Sequence, residues 1–246
     1  MTDVKGLAVP LGRRLLAEGV GTALLVTVVV GSGIAAQRLS PDDVGLQLLE
    51  NSIATALGLG VLILVFGPVS GAHFNPVVSV ADWLLGRGNA TGLRGRHVGP
   101  YSAAQIVGGV VGATLANAMY DLPAIQISGN ERVSAPVLLA EVVATAGLIA
   151  VVFALVRTGR LTSSAVAVGA YIGAAYWFTS STSFANPAVT VGRIFSDTFA
   201  GIAPSSVPGF VLAQIVGAAL GGLMIRFLYQ PLPMITFDDP GVTGPV

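Results

Sequence analysis

Long apolar runs alternate with short polar segments along this chain. Most runs approach the length of about 20 apolar residues that a membrane-crossing helix needs. The predicted spans cover residues 15–36, 48–66, 100–119, 136–156, 164–178 and 207–228. Runs of this length favour helices over the short alternating strands of a membrane barrel. The pattern therefore predicts an all-α membrane protein with six transmembrane helices.

Two shorter apolar runs behave differently, because each one starts at an Asn-Pro pair. They extend to about Leu85 and to about Phe195. Asn is a favoured N-cap, and Pro fits the first turn of a helix. Each copy therefore predicts a re-entrant loop that leads into a half-length helix. Irregular backbone is tolerated in hydrocarbon only where it lines a polar cavity, so the pair predicts a pore. The two boxes are Asn75-Pro76-Val77 and Asn186-Pro187-Ala188.

The second half of the chain repeats the first. Residues 16–23 resemble residues 139–146, and residues 104–108 resemble residues 213–217. With the two boxes, this makes three landmarks in the same order, in repeats of about 13–119 and 136–228. Three full spans per repeat is an odd number, so the halves should be inverted in the membrane. We expect one channel domain over residues 1–246. A signal peptide at the N-terminus is the rival reading, and the repeat argues against it.

Composition supports the membrane assignment and excludes several classes of function. The chain is 53% hydrophobic and 10% charged, whereas soluble domains are about 25% charged. Net charge is zero, so no nucleic-acid surface is expected. There is no Cys, which excludes disulfides and thiolate metal sites. Neither His73 nor His97 has a second ligand at metal spacing, so we expect no metal and no cofactor.

Basic residues predict the orientation. Cytoplasmic loops carry the excess of Lys and Arg, so the side with more of them should face the cytoplasm. This places both termini in the cytoplasm of a cell with the protein in its inner (plasma) membrane. The inner set is Lys5, Arg13, Arg14, Arg87, Arg94, Arg96, Arg157, Arg160 and Arg226, and the outer set is Arg38, Arg132 and Arg193.

These features together resemble the aquaporin, or major intrinsic protein, family. They are the two boxes, the Ser70–Pro76 run, a Glu in spans one and four, and a Gln in spans three and six. The resemblance covers about residues 13–228. It implies six tilted helices with two half-helices that meet at mid-membrane. It also implies a homotetramer in the lipid bilayer, with one pore in each subunit.

The resemblance also assigns roles to residues. Asn75 and Asn186 would offer amide donors at the pore centre, where two helix N-termini repel cations. Glu18 and Glu141 would brace the re-entrant loops. They are ionisable groups within spans, so a proton relay is the alternative role. Backbone carbonyls along the loops would form a ladder of acceptors: Gly71, Ala72, His73, Thr182, Ser183 and Phe184.

The outer selectivity filter departs from the family pattern. Val189 stands where most members carry an Arg. Arg193 lies one helical turn further on, about 5.4 Å away, and is not assigned that role. The other filter positions align to Thr55, to Ser183, and to Gly173 or Ala174, a choice that remains open. The predicted filter is wide, uncharged, and partly apolar and partly hydroxylic.

The resemblance therefore implies a passive channel for small uncharged polar solutes, of the aquaglyceroporin type. Water, glycerol and hydroxylated metalloid acids such as As(OH)3 are the candidates. Similar bacterial channels without the filter Arg are linked to arsenic detoxification. The alternatives are a water-selective channel, a proton-coupled transporter that uses Glu18 or Glu141, and a structural junction protein with a blocked pore.

Overall fold

A computed structural model describes residues 9–87, 91–160 and 163–229. Within these ranges the regular structure is helical, as predicted. Two short 3-10 turns, Arg193–Phe195 and Pro204–Ser206, add to the helices. The helices are α1 Leu11–Leu39, α2 Val44–Ser70, α3 Pro76–Gly86, α4 Gly95–Met119, α5 Ala135–Arg157, α6 Ser164–Phe178, α7 Pro187–Gly192 and α8 Val207–Leu228.

The helices pair in the same way in both halves of the chain. α1 packs along α4 and α2, and α5 packs correspondingly along α8 and α6. α2 and α6 also pack on each other and join the halves. Within the described ranges, five helices are long and apolar enough to cross a membrane, and α6 has only 15 residues. The predicted order of long and short helices is confirmed.

Several helices begin before the apolar run that revealed them. α2 begins at Val44, because the Asp43 carboxylate accepts a hydrogen bond from the Leu46 N–H at 2.9 Å. α4 begins at Gly95 and includes Pro100 near its start. The Asp43 cap lies outside the apolar pattern, so the pattern alone places the start of α2 too late. α7 ends at Gly192, earlier than expected, and continues as the 3-10 turn Arg193–Phe195.

Glycine allows the paired helices to touch. A Cβ on Gly108 of α4 would lie 2.2 Å from the carbonyl oxygen of Gly19 in α1. At the matching position of α8, a Cβ on Gly217 would lie 2.5 Å from the carbonyl oxygen of Val142 in α5. Neither site has room for a side chain. Small residues let membrane helices approach in this way, and the close approach places α4 and α8 beside the re-entrant loops.

Candidate functional site

The two Asn-Pro boxes meet in the middle of the molecule and are joined by crossed hydrogen bonds. Asn75 Nδ2 donates to the Ala185 carbonyl at 2.8 Å, and Asn186 Nδ2 donates to the Phe74 carbonyl at 2.8 Å. Each amide holds the backbone that precedes the other box. An amide has two N–H groups, and in the described part of the chain only one of each pair has a protein partner.

The same side chains cap the half-helices. Asn75 Oδ1 accepts from the Val77 N–H at 3.1 Å, and Asn186 Oδ1 accepts from the Ala188 N–H at 2.9 Å. Pro in the first turn of each helix needs no hydrogen-bond acceptor, so the cap satisfies the first free donor that follows it. The two helix N-termini, with their partial positive charge, therefore lie side by side at the crossing.

The half-helices diverge from this point toward opposite ends of α4. Trp83 of α3 lies beside Gly95 at the start of α4, where a Cβ would come 2.8 Å from the indole nitrogen. At the other end of α4, Asn117 Nδ2 donates to the Phe195 carbonyl, just beyond α7, at 2.7 Å. The polar groups at the crossing are thus central, and each half-helix extends outward from them.

A buried carboxylate holds the first loop. Glu18 accepts hydrogen bonds from the His73 N–H at 3.0 Å and from the Phe74 N–H at 2.7 Å. The Ser70 hydroxyl donates to it at 2.6 Å, and Gln105 Nε2 donates at 2.7 Å. Four donors around one carboxylate satisfy a charged group that would otherwise be costly to bury.

Glu141 repeats the arrangement on the second loop. It accepts from the Phe184 and Ala185 N–H groups, each at 2.9 Å, and from Gln214 Nε2 at 2.7 Å. Gln214 also reaches the Thr190 hydroxyl of α7 at 2.9 Å, so it ties the brace to the half-helix. The oxygens of both carboxylates accept hydrogen bonds from backbone and amide donors, and those of Glu18 also accept one from the Ser70 hydroxyl. This geometry suits bracing better than proton transfer.

Replacing Glu141 with Ala is expected to lower thermal stability. The Phe184 and Ala185 N–H groups would lose their acceptor, and each buried unpaired donor costs about 1–3 kcal/mol. For a chain of this size, we expect the unfolding midpoint in detergent to fall by roughly 5 °C or more. Glu131→Ala is the matched control, since Glu131 is exposed and accepts from the Ser205 and Ser206 hydroxyls. Equal effects of the two substitutions would contradict the bracing role.

The braced loops contain backbone that is rare for residues other than glycine. Ala72 and Phe74 have φ of 49° and 50° in the first loop, and Ser183 and Ala185 have φ of 51° and 48° in the second. Left-handed conformations of such residues are strained, by about 1–3 kcal/mol each. The hydrogen bonds to Glu18 and Glu141 support this conformation in both loops.

A cavity of about 300 Å³ runs past the crossing. Ser164 and Tyr176 both line it, and they lie at opposite ends of α6, about 18 Å apart at 1.5 Å per residue. We call one end the histidine end; it is lined by His73, Asp82, Thr91, Val156 and Ser164. We call the other end the arginine end; it is lined by Thr55, Tyr176, Ser183, Val189 and Arg193.

Not every predicted pore residue reaches this cavity. Both Asn side chains line it, as do Gly71, Ala72, His73, Ser183 and Phe184. Thr182, which was predicted to be in the carbonyl ladder, does not line the cavity; it lies in a turn where its N–H donates to the Thr179 carbonyl at 3.2 Å. The other four box residues are also absent from the wall, and Ala188 packs against Gly109 of α4 instead. These four are Pro76, Val77, Pro187 and Ala188.

The filter position on α6 also needs correction. Neither Gly173 nor Ala174 lines the cavity. Gly173 faces α2, where a Cβ would lie 2.9 Å from the Cβ of Ala56, and Ala174 is exposed. Tyr176 lines the cavity from α6 instead; it is 3% exposed, and its hydroxyl lies 3.2 Å from Thr55 Oγ1. The arginine end therefore carries an aromatic ring where a small residue was predicted.

Arg193 changes the predicted charge of this end. Its side chain reaches the cavity wall from the turn after α7, although it is only 2% exposed. The expectation of an uncharged end, based on Val189, is therefore wrong. Val189 also lines the cavity, and so does Ser183, whose buried hydroxyl has no hydrogen-bond partner among the described residues.

The histidine end contains an acid that sequence reasoning did not single out. Asp82 Oδ2 lies 3.6 Å from His73 Nε2 and accepts from the Leu93 N–H at 2.7 Å. His73 Nδ1 is 3.1 Å from the Ser79 hydroxyl. A carboxylate inside an apolar half-helix was the available signal. In the described ranges no three His, Asp or Glu side chains cluster as metal ligands would.

Comparisons with known proteins agree with this architecture. Residues 7–184 match the family model described as major intrinsic protein. The chain is 47% identical to the aquaglyceroporin AqpS of Rhizobium meliloti, over 94% of this chain and 96% of the relative. It is 33% identical to the glycerol uptake facilitator protein of Pseudomonas aeruginosa, over 87% of this chain and 88% of the relative.

A solved structure shares the fold. The aquaglyceroporin from Plasmodium falciparum superposes with a TM-score of 0.68 at 20% identity, and the match covers 89% of this chain and 97% of that one. The predicted all-α membrane fold is thus confirmed by structure, and the family match covers most of the chain. The chain belongs to the major intrinsic protein family, and it is a multi-pass membrane channel protein rather than an enzyme.

Proposed function

We propose that the cavity is a passive pore for small uncharged polar solutes: water, glycerol and hydroxylated metalloid acids such as As(OH)3. The observation that carries this proposal is the pair of crossed asparagines on the cavity wall. Each amide donates one N–H to a carbonyl of the opposite loop, and its second N–H can donate to an oxygen atom of a passing solute. The relatives named as an aquaglyceroporin and as a glycerol uptake facilitator support the same class of solute.

Electrostatics at the crossing supports uncharged solutes. Two helix N-termini and two amide donors place partial positive charge beside the path, which disfavours cations. Much of the remaining wall is apolar and includes Leu25, Val29, Leu59, Leu148 and Phe153. A solute with a few hydroxyl groups can exchange hydrogen bonds at the crossing without strong binding elsewhere.

The test is stopped-flow measurement on liposomes that contain the purified protein. We expect water, glycerol and arsenous acid each to permeate faster than in empty liposomes, without saturation and without a proton gradient. Saturable, proton-dependent uptake would favour a transporter, and flux of water alone would favour a water-selective channel. The absence of any flux would contradict the proposal.

The proposed membrane setting combines the family resemblance, which implies the homotetramer, with the basic residues, which predict the orientation. We place the protein in the inner (plasma) membrane as a homotetramer, with both termini in the cytoplasm. Large apolar side chains lie exposed along the helices, and these suit contact with lipid or with neighbouring copies. Examples are Leu57, Leu64, Val107, Val166 and Leu223.

Mercury compounds are expected to leave the wild-type flux unchanged. They inhibit through thiolates, and the chain has no Cys. Ser183 lines the cavity, so Ser183→Cys should make water flux sensitive to mercuric chloride and reversible with a thiol reductant. The exposed Ser205→Cys is the control and should stay insensitive. Strong inhibition of the wild type would contradict the expectation.

A further inference from the structure

The guanidinium of Arg193 is held on the cavity wall by groups outside its own helix. Its Cζ lies 3.5 Å from the centroid of the Phe184 ring, and its Nε donates to the Ala200 carbonyl. Its two terminal nitrogens donate no hydrogen bond to any residue that the structure describes. An arginine carries five N–H donors in a rigid fork, so most of the donors of Arg193 are available to a molecule in the cavity.

Arg132 binds the same short segment from the loop between α4 and α5. Its Nε donates to the Gly201 carbonyl at 2.7 Å, and its terminal nitrogen donates to the Phe199 carbonyl at 2.8 Å. Its Cζ lies 5.5 Å from the centroid of the Phe184 ring. Three consecutive carbonyls, 199–201, thus accept from two arginines that flank one ring. Arg132 does not itself line the cavity.

We infer that Arg193 is the residue that selects solutes at the arginine end, and that Arg132 positions it through Phe184 and the 199–201 segment. The inference rests on the proposed channel function. Val189, one turn earlier, offers neither charge nor a hydrogen bond. The free fork of Arg193 and the unpartnered Ser183 hydroxyl lie on the same wall. A fork of donors pairs with two adjacent oxygens, so it suits small polyols and trihydroxy acids and repels cations.

The test compares glycerol permeability, water permeability and potassium leak in liposomes at matched protein density. Arg193→Gln removes the charge, Arg132→Gln removes the support, and a double variant combines them. Arg38→Gln is the matched control. Arg38 also lies over an aromatic ring and donates to a backbone carbonyl, both of Tyr120, but it does not line the cavity.

We expect Arg193→Gln to raise potassium leak by about ten-fold or more and to change the glycerol-to-water ratio, because it removes a fixed charge from a low-dielectric wall. Arg132→Gln should give a smaller change of the same kind, and Arg132→Lys should restore part of it. The double variant should match Arg193→Gln alone, since residues that act through one group are not additive. Arg38→Gln should behave as the wild type.

Three results would overturn the inference. One is a conducting Arg193→Gln variant with unchanged leak and unchanged ratio, which would leave the channel function itself intact. Another is full additivity in the double variant, which would show that Arg132 acts independently. Should Arg193→Gln fail to purify, Phe184→Leu keeps both charges and removes only the ring, and unaltered selectivity there would count equally against the inference. Absence of flux in the wild type would contradict the proposed function instead.

Discussion

Asn186→Asp is expected to make the pore permeable to protons or potassium ions. The substituted carboxylate places a negative charge beside two helix N-termini, where the wild type has only partial positive charge. At an effective dielectric of about 20, a unit charge 4 Å from the path is worth about 4 kcal/mol. We therefore expect proton or potassium leak to rise by at least about two orders of magnitude, measured with a potential-sensitive dye in liposomes.

Asn186→Asp should also lower the stability of the protein, because it removes one of the two crossed hydrogen bonds. Asp remains a good N-cap, so the bonds from the Ala188 and Val189 N–H groups survive. The bond to the Phe74 carbonyl does not survive, because a carboxylate cannot donate to it. Asn130→Asp is the matched control: its amide also donates to a carbonyl, that of Thr198, away from the cavity. Equal leak in both variants would show that Asn186 is not at the central barrier.

Val189→Arg is expected to narrow the arginine end. Val189 lies on the wall there, and an arginine would add bulk and a second guanidinium one turn from Arg193. Glycerol and As(OH)3 need more cross-section than water, so their flux should fall more. A barrier higher by about 1.4 kcal/mol for glycerol would lower its flux about ten-fold. The measurement is the ratio of glycerol to water permeability at matched protein density.

A second variant separates size from charge. Val189→Leu adds bulk without a donor, so it should slow glycerol but leave cation leak unchanged. A ratio that is constant or higher in Val189→Arg would show that Val189 does not shape the narrow section. Selection would then depend on Arg193 and Tyr176 alone.

The helix caps and the repeated Glu and Gln residues could be predicted from the sequence, and the structure shows why. Asn75 and Asn186 cap their helices through bonds to residues only two positions away, and such caps depend on little besides sequence. The repeat placed Glu18 and Gln105 in one half and Glu141 and Gln214 in the other, and each pair is hydrogen-bonded at 2.7 Å. Matching landmarks thus carried information about contacts far apart in the chain.

The arginine end was less predictable, because distant packing determines it. The face of α6 that meets the cavity depends on the packing of Gly169 and Gly173 against Ala56 of α2, and this packing turns Tyr176 inward. The reach of Arg193 depends on a carbonyl seven residues later, Ala200. The spacing of residues after Asn186 in the sequence reveals neither fact, so it gave the incorrect prediction of an uncharged wall.

The crossed asparagine bonds also constrain how the protein is made. Their partners lie 110 and 112 residues apart in the chain, whereas the Glu18 bonds to the first loop span only 52–56 residues. At about 5–20 residues per second, the ribosome needs roughly 5–20 s to supply the second box after the first. During that interval the nascent first loop can rest on Glu18, but the Asn75 amide and the Phe74 carbonyl await their partners. The N-terminal half therefore enters the membrane with these two groups unpaired, and they form their hydrogen bonds only after the second half has been synthesised.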